Sequence, residues 1–162
     1  MKTIIALDVG KKISGYALFD ADSKRFLSSG TLTFLLSGEG IVPELNELCA
    51  ENAAEVMVVG MPFHTETGKI TQEGRGIIRF IQRIEKSFEQ RCTIVFVDES
   101  FTSLESAESL SINSRKKRKG KKRAGMIDKS AATLIGKRYL QGEPFFKIYS
   151  LAQCVAMMDD DR

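Results

Sequence analysis

Residues 3–20, TIIALDVGKKISGYALFD, decide the fold. The first seven, TIIALDV, form an apolar run broken only at Asp8, the pattern of a strand buried on both faces. Gly10 and the two lysines after it make a turn. SGYALFD at 14–20 then reads as a second strand, close enough to pair antiparallel with the first. A third strand, RFLSSGTLTF at 25–34, completes an antiparallel meander. A carboxylate inside an apolar strand costs free energy unless something compensates it, so Asp8 is the position where this strand does more than pack.

Further along, residues 41–53 read as a helix with Val42, Leu45 and Leu48 on one face and Pro43 in its first turn. A short buried strand, VMVVG at 56–60, leads into the loop MPFHTETGK. Residues 71–90 carry a strong helical period. Ile77, Ile78, Ile81, Ile84 and Phe88 lie on one face, and Arg75, Arg79 and Arg83 recur on another. TIVFVD at 93–98 is a fifth strand, and Thr102 with Glu105 forms a capping-box pattern opening a helix that runs to 111. A last helix is expected over 128–141, with Ala131, Ala132, Leu134 and Ile135 facing inward. Strands joined by crossover helices pair in parallel. The expectation is an α/β fold with one mixed five-stranded sheet (three antiparallel strands, then two parallel) and helices on both faces. Residues 1–141 make one domain. The tail, 142–162, with its Gly-Glu-Pro break and acidic end, is left without a place.

The composition excludes several classes. With 162 residues, 43% of them hydrophobic and 28% charged, the chain can bury a sizeable core and is not globally disordered. No apolar stretch approaches the roughly 20 residues that cross a bilayer. The first apolar run meets Asp8 rather than a cleavage site of small residues, so no signal peptide, no membrane partner and a cytoplasmic location are expected. Cys49, Cys92 and Cys154 are far apart and odd in number, and His64 is the only histidine. That excludes a zinc finger on ligand count and leaves a His-dependent nucleophile only His64, with no supporting motif. Any metal would be a hard cation on oxygen ligands.

Such oxygens are available. Asp8 interrupts the first strand, Asp98 and Glu99 end the fifth, and Asp128 opens the last helix in MIDKSAA. Each has an ordinary reading: Asp128 as an N-cap, Asp98 and Glu99 as loop residues, Asp8 paired with a lysine. Together they suit a shared site, because neighbouring strands lie about 4.8 Å apart and two-metal sites hold ions about 3.5–4 Å apart. Crowded carboxylates rise in pKa unless cations neutralise them, and Mg²⁺ takes a few carboxylates plus water and phosphate oxygens. The chemistry implied is attack of a metal-activated water on a phosphodiester.

The motifs ALDVGKKISGYALFD, VVGMPFHTETG, FVDESFTSLESAESL and RKKRKGKKRAGMIDKSAATLIGKRYL, in this order, resemble the YqgF (RuvX-type) family of Holliday-junction resolvases and pre-16S rRNA nucleases. The resemblance spans residues 1–141. It implies an RNase H-like fold and a nuclease dependent on Mg²⁺ (or Mn²⁺), acting on precursor rRNA or branched DNA as a monomer or homodimer. The family's acidic positions fall on Asp8, on Asp98 and Glu99, and on Asp128. Asp8, Glu99 and Asp128 are the expected catalytic set, and Asp98 is added as a metal ligand. Several positions depart from the family pattern: Ser100 stands where an Arg is usual, Phe63, His64 and Thr65 where an Asn turn is usual, and Ile13, Ser14 and Gly15 where Arg-Ile-Gly is usual. These departures motivate the alternative, a non-catalytic nucleic-acid or ribosome-associated binding protein.

The segment 115–123 holds Arg115, Lys116, Lys117, Arg118, Lys119, Lys121, Lys122 and Arg123. Just before Asp128, this run reads as a phosphate clamp whose binding weakens with salt and which reads backbone rather than base edges. Arg79 extends it on the preceding helix. The formal charge of +3 is therefore uneven, since without those eight residues 16 Lys and Arg face 21 Asp and Glu, a body of −5.

Overall fold

The computed structural model describes residues 2–10, 13–33, 41–87, 92–99 and 123–160, the side chains of 33, 41, 42, 87, 123–130 and 160 excepted. Strands β1 (Thr3–Asp8), β2 (Ile13–Asp20) and β3 (Arg25–Thr33) form the meander. Helix α1 (Ile41–Asn52) leads to β4 (Ala54–Met61), and α2 (Gln72–Ser87) leads to β5 (Thr93–Asp98). Helix α3 (Arg123–Gln141) is followed by β6 (Ile148–Ser150) and α4 (Leu151–Asp160). The sheet order is β3-β2-β1-β4-β5-β6; β4 runs parallel to both β1 and β5, and β6 is antiparallel to β5.

The sheet therefore has six strands where five were expected. The sixth comes from the tail, whose Ile148, Tyr149 and Ser150 pair with Val97, Phe96 and Val95. Three residues are too few to show an alternation. The helix after them does carry a start signal, because Ser150 and Gln153 form a reciprocal capping box: the Ser150 hydroxyl accepts from the Gln153 N–H (3.1 Å) and the Gln153 side-chain oxygen accepts from the Ser150 N–H (2.7 Å). Helix α3 begins at Arg123, five residues before the expected start, so Asp128 lies inside the helix rather than capping it. The capping box at Thr102 and Glu105, Phe88, and residues 115–122 lie outside the described residues.

Strand alternation divides the core. Ile5, Leu7, Met57, Val59 and Phe96 face Ile77, Ile78, Phe80, Ile81 and Ile84 of α2. Ile4, Ala6, Ala17, Phe19, Val58 and Val97 face Ala132 and Ile135 of α3. On the α3 side small residues let the helix approach closely. A Cβ on Gly136 would overlap the Phe19 ring, and one on Gly60 would sit 2.5 Å from Ile135 Cδ1. Helix α2 starts where Thr71 caps it, its hydroxyl oxygen accepting the Gly74 N–H at 3.0 Å. Among the described residues no helix is long and apolar enough to cross a membrane.

Candidate active site

Parallel strands β1, β4 and β5 end together, and Asp8, Met61 and Asp98 are their last residues. Just past β5, the Glu99 N–H donates to the Met61 carbonyl at 3.0 Å and carries the ladder one residue further. Alternation decides which carboxylates meet. Asp8 follows Ile4 and Ala6 on the α3 face. Glu99 follows Val95 and Val97 on that same face, and a Cβ on Gly60 would come within 2.9 Å of Glu99 Oε2. The Asp8 and Glu99 carboxyl groups lie within hydrogen-bonding reach of each other.

Electrostatics follow from this placement. Burial, first of all, and then the negative charges of Asp8, Glu73 and Asp98 push the Glu99 carboxyl well above the usual carboxylate range. Only β4 separates the strands that carry Asp8 and Glu99. Gly60 on β4 has no side chain, and the space a Cβ would take there is filled by Glu99 Oε2 and the Ile135 side chain.

Strand alternation puts Asp98 on the other face, that of Phe96. There its charge, after burial itself, helps push the Tyr149 phenol upward. Its backbone carbonyl accepts from Arg138 Nη1 at 2.6 Å, and that guanidinium lies 4.9 Å over the Phe146 ring, tying α3 to the end of β5. Asp128 occupies α3 one turn before Ala132 and two turns, about 10 Å of rise, before Ile135, both buried against the sheet. Among the described residues no three His, Cys, Asp or Glu side chains are grouped as a metal site. The described donor set is the pair Asp8 and Glu99, hard oxygens that repel unless a proton or cation lies between them, and this fits a hard divalent ion.

Arg79 is exposed on α2, across the sheet from α3, so it is not brought to the carboxylate pair. His64 is exposed on the loop after β4, at the carboxylate end of the sheet. Sequence reasoning missed two neighbours. Glu73, in the first turn of α2, adds negative charge near Glu99, and Tyr149 arrives from the tail. An acidic residue in a first helical turn was visible, but its tertiary neighbour was not.

An antiparallel meander continued by parallel crossovers, with a carboxylate pair under a helix at the strand ends, defines an RNase H-like protein. Solved structures share the fold. T. thermophilus RuvC in complex with Holliday junction substrate aligns at a TM-score of 0.54 with 12% identity, covering 91% of this chain and 99% of that one. Fowlpox virus resolvase with its substrate Holliday junction DNA aligns at 0.53 with 14% identity, covering 86% and 97%. The chain belongs to the RuvX family, described as Holliday junction resolvase, whose sequence model matches residues 2–142. A relative from Sulfurihydrogenibium sp., named "Putative pre-16S rRNA nuclease", is 31% identical over 140 residues, 86% of this chain and 90% of the relative. One of the same name from Caldanaerobacter subterraneus is 32% identical over 141 residues, 86% and 96% of the two chains.

Proposed function

We propose that this protein is a divalent-metal-dependent endonuclease that hydrolyses phosphodiester bonds in structured nucleic acid, precursor 16S rRNA or a four-way DNA junction. The observation that carries this reading is the meeting of Asp8 and Glu99 on the α3 face at the strand ends, two carboxylates whose mutual repulsion a cation would relieve. Asp8, Glu99 and, from α3, Asp128 would hold Mg²⁺ or Mn²⁺. When bound, the ion supplies an activated water and neutralises phosphate charge.

The chain's own groups do the rest. Ionised Asp8 and Glu99 offer only acceptor oxygens. A bound ion would favour the ionised form of Glu99, so metal affinity should rise with pH. Arg138 holds the Asp98 carbonyl and so fixes the strand end from which Glu99 projects. The eight basic residues of 115–123 neutralise substrate phosphates next to Asp128 in the chain. Asp98, expected as a further metal ligand, follows Phe96 on the opposite face of β5 by alternation, and the reading leaves it outside the catalytic set. A single cut in precursor rRNA needs one such site, whereas symmetric cuts in a junction need two and hence a homodimer. The location that fits this work is the cytoplasm.

Four variants test the assignment on both substrates with Mg²⁺. Asp8→Asn, Glu99→Gln and Asp128→Asn should each lower the cleavage rate more than about a hundredfold, beyond what losing an outer partner of a metal ligand costs. Asp98→Asn should cleave near the wild-type rate. Normal cleavage by Asp8→Asn or Glu99→Gln would remove the proposed site. Salt-sensitive binding without any metal-dependent cleavage by the wild type would favour the binding-protein reading.

A further inference from the structure

The loop between β4 and α2 is built, and the carboxylate pair does not use it. Phe63 and Ile70 form an antiparallel bridge at its base and are both buried. The His64 N–H donates to the Lys69 carbonyl, and the Gly68 N–H donates back to the His64 carbonyl, each at 2.8 Å. Gly68 takes a φ of +73°, which lets so tight a loop close. The Thr71 hydroxyl and N–H both donate to the Pro62 carbonyl, pinning the exit to the entrance. The Phe63 ring packs on Tyr149, 5.2 Å between centroids, so the tail strand braces the loop from outside.

The loop encloses an open cavity of about 350 Å³ lined by His64, Thr65, Glu66, Thr67 and Lys69. Its lining residues carry an ammonium, an imidazole and two hydroxyls, a donor set that suits phosphate oxygens, and Glu66 is the one opposing charge among them. The Thr67 hydroxyl oxygen accepts the Lys69 N–H at 3.2 Å, and that bond does not use its hydrogen. Position completes the case. His64 is three residues beyond Met61, at most about 11 Å along an extended chain, and the Met61 carbonyl is bonded to Glu99. In open α/β sheets, ligands bind outside the carboxyl ends of the strands, where this loop lies.

We propose that loop 64–69 is a phosphate-contacting subsite. In it Lys69, His64 and Thr67 hold a backbone phosphate of the nucleic-acid strand a few nucleotides from the bond cleaved. The subsite rests on the nuclease reading above and adds a specific contact on the described body to the basic segment at 115–123. The ligand is the phosphodiester backbone itself, which RNA and DNA share.

The test is binding by the full chain, followed by fluorescence anisotropy without divalent metal, of two labelled probes: a precursor 16S rRNA leader fragment and a four-way DNA junction. Lys69→Met should weaken binding severalfold and lower the log–log salt slope by about 0.7–0.9, the share of one phosphate. His64→Ala should weaken binding severalfold. Glu66→Gln should tighten it, an effect that damage to the fold does not produce. Loss with only one probe assigns the subsite to that nucleic acid. In cleavage assays the same changes should appear in KM rather than in kcat. If Lys69→Met, His64→Ala and Glu66→Gln all bind both probes like the wild type, the proposal is overturned, as it also is if the wild type binds neither. Since binding is read without metal, absence of cleavage would sink the nuclease reading and leave this one standing. Asp8-dependent cleavage with unaltered loop variants would do the reverse.

Discussion

At the residue scale, Glu99 carries the most chemistry. Burial and neighbouring carboxylates raise its pKa well above the ordinary value, so it holds its proton to higher pH in the folded chain than in the unfolded one. The sign follows from linkage: the folded state binds more protons, so this contribution is fully present below the ordinary glutamate pKa of about 4.3 and is lost as pH rises through the folded value. Without divalent metal, Tm should therefore fall across that window more steeply than in Glu99→Gln, and Mg²⁺ should raise Tm more at higher pH. Thermal melts of both proteins across pH, with and without Mg²⁺, check this; parallel curves would contradict it. Asp8 stands out in the sequence because no other residue of TIIALDV is polar past its first threonine. The choice between Asp98 and Glu99 is harder to read, since adjacent residues point to opposite faces and only the register against β4 and α3 says which face holds the site. Glu73 and Tyr149 were not legible, because each reaches this region through contacts distant in sequence.

At the scale of elements, α3 and its glycines set the geometry. Gly136 lies against the Phe19 ring with no room for a Cβ. Gly136→Val should overpack this contact and cost about 1–3 kcal/mol, read as a lower urea midpoint. A midpoint equal to wild type would mean that α3 does not press on the sheet there. The tail provides a second case. Ser150 caps α4, so Ser150→Ala should cost about 1 kcal/mol by the same measurement. The meander, the crossovers and α2 were legible from periodicity, since Ile77, Ile78, Ile81 and Ile84 are all buried as their spacing requires. The sixth strand was not, because Ile148–Ser150 is an edge strand selected by the open side of β5 rather than by a pattern of its own.

At the scale of the whole molecule, the uneven charge organises the account. Apart from residues 115–123 the chain carries −5, and the eight basic side chains are concentrated in the segment leading into α3, the helix that bears Asp128. Replacing all eight by Gln should reduce affinity for RNA and DNA alike and flatten the salt dependence by several phosphates' worth, while Tm changes little. Titration against salt measures it, and an unchanged slope would place the phosphate contacts elsewhere. The proposed reaction is phosphodiester cleavage through the carboxylates at the ends of β1 and β5. Its most direct test is single-turnover cleavage of a precursor 16S rRNA leader and a four-way junction, with Mg²⁺, by wild type and Asp8→Asn side by side. The wild type should show metal-dependent cleavage of at least one substrate, and the variant, melting at or above the wild-type temperature, should show none. Equal cleavage by the two proteins would contradict it.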